Sequence, residues 1–129
     1  MSDRGKIYVS IVTPEEVTFE GEVDFLSIPS RSGSMGILYN HVPVVCQLKS
    51  GLIKLKSGEK SKYFAVGSGY MEFINDSASI ITGKAIETTY ENREEAIKET
   101  KKKHDIVQEI SDETKKVLEA ITYLKGLRK

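Results

Sequence analysis

The chain reads as an antiparallel β-sandwich or barrel followed by a helical hairpin. Its composition changes near Tyr90. All three prolines and nine of the ten glycines precede that point. Beyond it, 19 of 40 residues are Asp, Glu, Lys or Arg, whereas the first 89 residues carry only 19. Short β-type runs recur at about ten-residue spacing before the change, as in sandwiches and barrels. Helix formers replace them after it.

The elements follow in order. Lys6–Val12 alternates, with Ile7, Val9 and Ile11 on one face and Tyr8, Ser10 and Val12 on the other. This predicts a strand covered in part on both sides. Pro14 lacks the N–H a ladder needs and ends it. Val17–Phe19 predicts a short strand, with a turn at Gly21. Glu22–Pro29 predicts the next, with Val23 and Phe25 facing one way and Asp24, Leu26 and Ile28 the other. Ser30–Gly36 has loop composition. Val44, Val45 and Leu48 mark another strand. Leu52–Lys56 and Lys62–Val66 flank Ser57-Gly58-Glu59-Lys60 as a hairpin. Gly67-Ser68-Gly69 bends the chain. Tyr70–Ile74 and Ala78–Thr82 form a second hairpin across Asn75-Asp76-Ser77.

The tail predicts two helices. Asn92, with Glu95 three residues on, resembles a capping box and starts a helix from about Arg93 to Glu109. Its weak apolar stripe is Ala96, Ile97, Thr100, His104 and Val107. A second helix starts near Ser111 or Asp112, both good N-caps. It spaces Val117, Ala120, Ile121, Leu124 and Leu127 for one face. Helices of this length are marginal alone in water, so the hairpin must lean on something.

The totals exclude several classes of function. Nineteen basic and nineteen acidic residues cancel. Nucleic acid requires an excess of Lys/Arg on one face, so none is expected as a partner. One cysteine, Cys46, excludes an internal disulfide and a multi-cysteine metal site. No apolar run approaches the roughly 18 residues of a membrane span, so no direct membrane insertion is expected. The opening residues lead straight into a strand pattern and predict no signal or transit segment.

Candidate chemistry is sparse. His41 and Cys46 are the one Cys/His pair that proximity suggests for nucleophilic catalysis. Cys46 lies between apolar neighbours, which instead reads as a small core residue. Two isolated histidines lack metal-ligand spacing. Gly67-Ser68-Gly69 is followed by a strand pattern, whereas a phosphate loop needs a helix N-terminus there, so it reads as a bend. Lys101-Lys102-Lys103 reads as solvated surface, or as part of a basic set meeting an acidic partner. The segment from Gly33 to Pro43 combines glycines, apolar residues, a histidine and a proline before a strand, a mixture that suits recognition more than linkage.

On these residues the chain resembles the ε-subunit family of F-type ATP synthases, a component of the rotor's central stalk. The resemblance is carried by Ile11-Val12-Thr13-Pro14-Glu15, by Gly33-Ser34-Met35-Gly36-Ile37-Leu38-Tyr39-Asn40-His41-Val42-Pro43, by Leu48 with Gly51, and by Ala65-Val66-Gly67-Ser68-Gly69-Tyr70. Their order and spacing match from end to end.

The resemblance implies a mainly β plus α fold. A flattened antiparallel sandwich of about ten strands (residues 1–88) would precede an antiparallel two-helix hairpin (residues 89–129). It implies a subunit with no catalytic site, cofactor or metal. The chain would join the γ subunit to the c-ring and couple ion-driven rotation to ATP synthesis. Ser34, Met35, Gly36, Ile37, Leu38, Tyr39, His41 and Pro43 would form the contact loop for the c-ring and γ. The hairpin would fold on the sandwich in one state. In another it would extend towards the α/β subunits of the catalytic head and restrain hydrolysis, with Lys115, Lys116, Lys125 and Arg128 as contacts. The expected place is the cytoplasmic face of the bacterial inner membrane, as a peripheral subunit, with the chloroplast thylakoid as the second option.

Two departures from the family pattern stand out. Ser34 occupies a position that is often acidic, which removes an ion pair there. The ATP-binding motif of some members corresponds to Glu91, Asn92, Arg93, Glu94, Glu95 and Ala96, and only the alanine is kept. No tight ATP binding is expected. From the residues alone, a competing reading is a free-standing β-sandwich binding module whose helical tail dimerises. An enzyme using His41 or Cys46 is a third.

Overall fold

A computed structural model of the chain describes residues 5–102. Ten strands and one helix are present among them. The strands are β1 (Ile7–Val12), β2 (Val17–Val23), β3 (Phe25–Ser30), β4 (Gly33–Ile37), β5 (Val44–Leu48), β6 (Gly51–Ser57), β7 (Lys60–Val66), β8 (Gly69–Ile74), β9 (Ser77–Thr82) and β10 (Ala85–Thr88). The helix is α1 (Arg93–Lys102). The second helix and the contacts at Lys115, Lys116, Lys125 and Arg128 lie outside the described residues, as does the stretch of the first helix beyond Lys102.

The hydrogen-bonded order is β10-β7-β6-β3-β5-β8-β9-β1-β2, with β4 on the side of β3. All pairs are antiparallel except β1 with β9. The sheet doubles back at β3, whose last residue, Ser30, pairs with Leu48 of β5. One layer is then β4-β3-β6-β7-β10 and the other β5-β8-β9-β1-β2. β2 and β7 are far apart in the order. Even so, the Phe19 and Phe64 rings lie 5.8 Å apart, so the layers face one another.

Between the layers sits one core. Ile7, Val9 and Ile11 of β1 meet Leu26 and Ile28 of β3, Ile53 and Leu55 of β6, Phe64 of β7, Met71 and Phe73 of β8, and Ala78 and Ile80 of β9. Each is 2% exposed or less. Burying each large apolar side chain contributes about 1.5–3 kcal/mol. The period-two alternation seen in the sequence is therefore the inside/outside alternation of the two layers.

Both hairpins follow their turn chemistry. Asn75 and Asp76 take left-handed φ of 52° and 58°, as a type I′ turn requires. In the β6–β7 turn, Gly58 supplies a φ of 60°. Asp24 holds that turn in place. Its carboxylate accepts from the Gly58 N–H at 2.7 Å and from Lys6 Nζ at 2.8 Å.

Some expectations need correction. Gly21 is not a turn; it lies inside β2 opposite Val9, and the chain bends at Asp24 instead. That bend resets the alternation, so Val23 is buried while Phe25 is on the outer side. Residues 33–36 are not loop but most of β4, paired along β3 from Leu26↔Ile37 to Ser30↔Gly33. The strand β10 has no counterpart in the sequence reading.

The bend at Gly67-Ser68-Gly69 is real, and Thr82 fixes it by donating its hydroxyl to the Gly67 carbonyl at 3.0 Å. At Gly69 an added Cβ would overlap the Ile81 carbonyl oxygen on the partner strand. Backbone cannot yield as a side chain does. Gly69→Ala is expected to cost about 1–3 kcal/mol or more, read as a drop in urea midpoint at unchanged m-value. A wild-type midpoint would show that the strands part there without cost.

Helix α1 lies on the outer face of β7, β10 and β6. Leu52, Ala65 and Ile86 are in register across those strands on that face, and Ala65 is fully buried. The helix starts where expected. The Asn92 carbonyl accepts the first helical bond, from the Ala96 N–H, and Thr89 Oγ1 accepts from the Asn92 N–H at 3.2 Å. Glu94 and Glu95 sit favourably in its first turn.

Candidate partner-docking surface

The two layers differ in their outer faces. One carries α1. Among the described residues no helix covers the other. The register across that bare face gives three rows. Gln47, Tyr70, Ile81, Val12 and Val17 form the first. Val45, Glu72, Ser79, Ser10 and Glu20 form the second, and Ile74, Ser77, Tyr8 and Glu22 the third. Val45 is 68% exposed, Val17 55% and Ile74 46%. Exposed large apolar side chains on one face make it a candidate interaction site.

The carboxylates of Glu20, Glu22 and Glu72 give this face an acidic character. Glu20 acts on a neighbour. It accepts from the Tyr8 hydroxyl, and that hydrogen bond, with some desolvation and the carboxylate's charge, raises the phenol above its ordinary pKa.

The segment after β4 continues this surface at one end. Ile37 is completely buried and anchors it. Leu38, Tyr39 and Val42 then point outward at 50%, 44% and 69% exposure. Their backbone is held in place. The Asn40 N–H donates to Asp76 Oδ1 at 2.6 Å, and the His41 N–H donates to the Leu38 carbonyl at 3.0 Å. Asn40 takes a φ of 69°, a left-handed conformation that asparagine tolerates. The His41 ring stands edge-on to Phe73, 5.9 Å away at 87°. The Tyr39 ring fills the space beside Gly5 that a Cβ would occupy. The β8–β9 turn reaches the other way as well, since the Asp76 carbonyl accepts from the Tyr8 N–H. Pinned backbone with outward apolar side chains is preorganised for binding, because little ordering remains to be done on contact.

The structure sorts the residues expected to form the contact loop. Ser34 and Gly36 are exposed on β4, and Met35 is half-buried against the core. Ile37 belongs to the core. Leu38, Tyr39, His41 and Pro43 line the surface. Sequence reasoning missed Tyr8, Val17, Val45 and Ile74. Their signal was an apolar residue on the polar side of an alternating strand.

Catalytic readings gain nothing from the geometry. Cys46 is half-buried against the core, and burial pushes its thiol above the ordinary value. His41 Nδ1 is engaged with the Val42 carbonyl at 2.7 Å. Among the described residues no cluster of His, Cys, Asp and Glu has metal-binding geometry. An open groove of about 280 Å³ runs beside α1, lined by Ile86, Thr88, Asn92, Glu95, Ala96 and Glu99. It overlaps the degenerate nucleotide motif. Its charged lining is two carboxylates, which repel phosphate. Arg93 instead stacks on Tyr90, its guanidinium carbon 3.7 Å from the ring centre.

Residues 6–88 match the family model described as ATP synthase, Delta/Epsilon chain, beta-sandwich domain. An ATP synthase epsilon chain from Leptospira interrogans is 42% identical over 77 residues, 60% of this chain and 61% of that one. One from Bacillus thuringiensis is 39% identical over 82 residues, 64% of this chain and 62% of that one. The match thus spans less than two thirds of those relatives' length. A chain in a mitochondrial ATP synthase structure from Euglena gracilis, comprising OSCP, F1 and c-ring, superposes with a TM-score of 0.61 at 23% identity. That superposition covers 91% of this chain and 81% of the other. A chain in a Tetrahymena thermophila central stalk and c-ring structure gives 0.54 at 14% identity, covering 66% and 69%. At these identities the superpositions show the fold.

Proposed function

The chain belongs to the ATP synthase delta/epsilon family, and from that membership we propose that it is the non-catalytic ε-type subunit of a rotor stalk. In this reading the sandwich binds the γ subunit and the c-ring, so that rotation passes between them without slip. The observation that carries it is the bare, acidic and apolar face continuous with the pinned segment Leu38–Pro43. Such a surface is built to be covered. The solved neighbours support it, since their structures are described as containing a c-ring.

The coupled ion drives the ring, and this chain acts as a mechanical joint. It sits peripherally, on the cytoplasmic face of a bacterial inner membrane. Bacterial relatives support that placement. No helix among the described residues is long and apolar enough to cross a membrane. The charged C-terminal region, including Lys115, Lys116, Lys125 and Arg128, meets acidic surface on the catalytic α/β head and restrains hydrolysis.

Truncation after Lys102 tests the regulatory part, because it leaves the described fold intact. ATP hydrolysis by the assembled complex is expected to rise several-fold, with assembly unchanged. Equal hydrolysis at every ATP/ADP ratio sampled removes the inhibitory role.

A further inference from the structure

We propose that a three-part stack, Arg93 on Tyr90 on Tyr63, is a lock that holds α1 against the sandwich. The three residues come from three segments: the first turn of α1, the linker after β10, and the outer face of β7. The Arg93 guanidinium lies 3.7 Å from the Tyr90 ring centre, and its Nη1 donates to the Tyr90 carbonyl at 2.6 Å. The other neighbour of Tyr90 is Tyr63, with ring centres 5.8 Å apart and planes at 54°. Tyr63 is anchored in the sheet between Lys54 and Thr88.

The helix needs such a lock. In a protein most helical stability comes from packing of the seated face rather than from the helix alone. Among its described side chains the seated face is small: Ala96 and Ile97 are half-buried, and Thr100 alone is fully buried. The Thr100 hydroxyl donates to the Ile97 carbonyl and lies 3.3 Å from Ser50 Oγ, which holds the helix about two turns further on. The near end has the stack.

The position of Arg93 is informative. It is the first residue of α1, where the helix dipole disfavours a cation. The helix itself therefore gains nothing from arginine there. The lock does, because a planar guanidinium satisfies a ring face and a carbonyl together.

This deepens the regulatory reading above. A partner that peels Tyr90 away, half-exposed as it is, would free α1 without disturbing the core. The docking is a property of the free chain, so it is tested without any ATP synthase, and its failure leaves the stalk assignment standing or falling separately.

The measurement is amide hydrogen exchange of the full-length chain over residues 93–102, with β8 and β9 as the internal reference. Tyr90→Ala and Arg93→Gln are each expected to speed exchange in α1 by about threefold to tenfold, the scale of one aromatic or cation–π contact. Tyr90→Phe keeps both faces of the ring and should match wild type. Gln is a good helix former and removes the unfavourable cation. If Arg93 served only the helix, Arg93→Gln would slow exchange. Slower or unchanged exchange in either variant overturns the proposal, as does equal loosening of β8 and β9.

Discussion

A chain carrying Leu38→Asp and Val42→Asp is expected to lose its grip on the γ subunit and c-ring assembly by about 100-fold or more. Two charges would enter the centre of a desolvated contact, where single anchors contribute about 2 kcal/mol or more. The same chain should melt with the wild type. Leu38 and Val42 are 50% and 69% exposed, and substitutions at such positions change stability by about 0.5 kcal/mol or less. Binding titrations and thermal melts on the same preparation separate the effects. Undiminished binding would mean that the segment is ordinary surface. A lowered melting temperature would mean that it belongs to the core.

Phe73→Ala should do the reverse and damage fold and site together. Phe73 is 1% exposed, pairs with Val44 and Ala78, and presents its ring to His41. Removing a buried phenyl costs about 3–5 kcal/mol, set against a total of about 5–15 kcal/mol for a domain. The cavity would open beneath the exposed segment, since His41 rests on that ring. Denaturation midpoints should fall steeply. Exchange should quicken at Leu38–His41 even under conditions where the remaining molecules stay folded. A loss of stability with the segment unchanged would show that the Asp76 contact to Asn40 is sufficient by itself.

The two hairpins at Gly58 and at Asn75-Asp76 were legible because turn residues fix φ locally. So was the face of β1, because Ile7, Val9 and Ile11 alternate cleanly. β4 was hidden by its glycines and serines. It is a strand because β3 offers a ladder, and Gly36 is tolerated beside the Phe25 ring, which a Cβ would approach to 3.1 Å. Gly21 misled in the same way. β10 was invisible because α1 covers its outer side, which leaves four residues without alternation. The contact segment could be located from composition, but its exposure could not. Ile37 and Leu38 are chemically alike, and tertiary structure alone buries one and presents the other. The bare face was missed for a related reason: Val45 and Ile74 mark strands, and which side of a strand is left uncovered is known only once the layers are.

Binding of purified γ subunit by the intact chain bears most directly on the account. Isothermal titration should show a one-to-one complex with a negative heat-capacity change, as expected when apolar surface is covered. The chain alone should turn over no nucleotide. Absence of any association with γ, or a chemical conversion carried out by the chain itself, would contradict a role as a joint between moving parts.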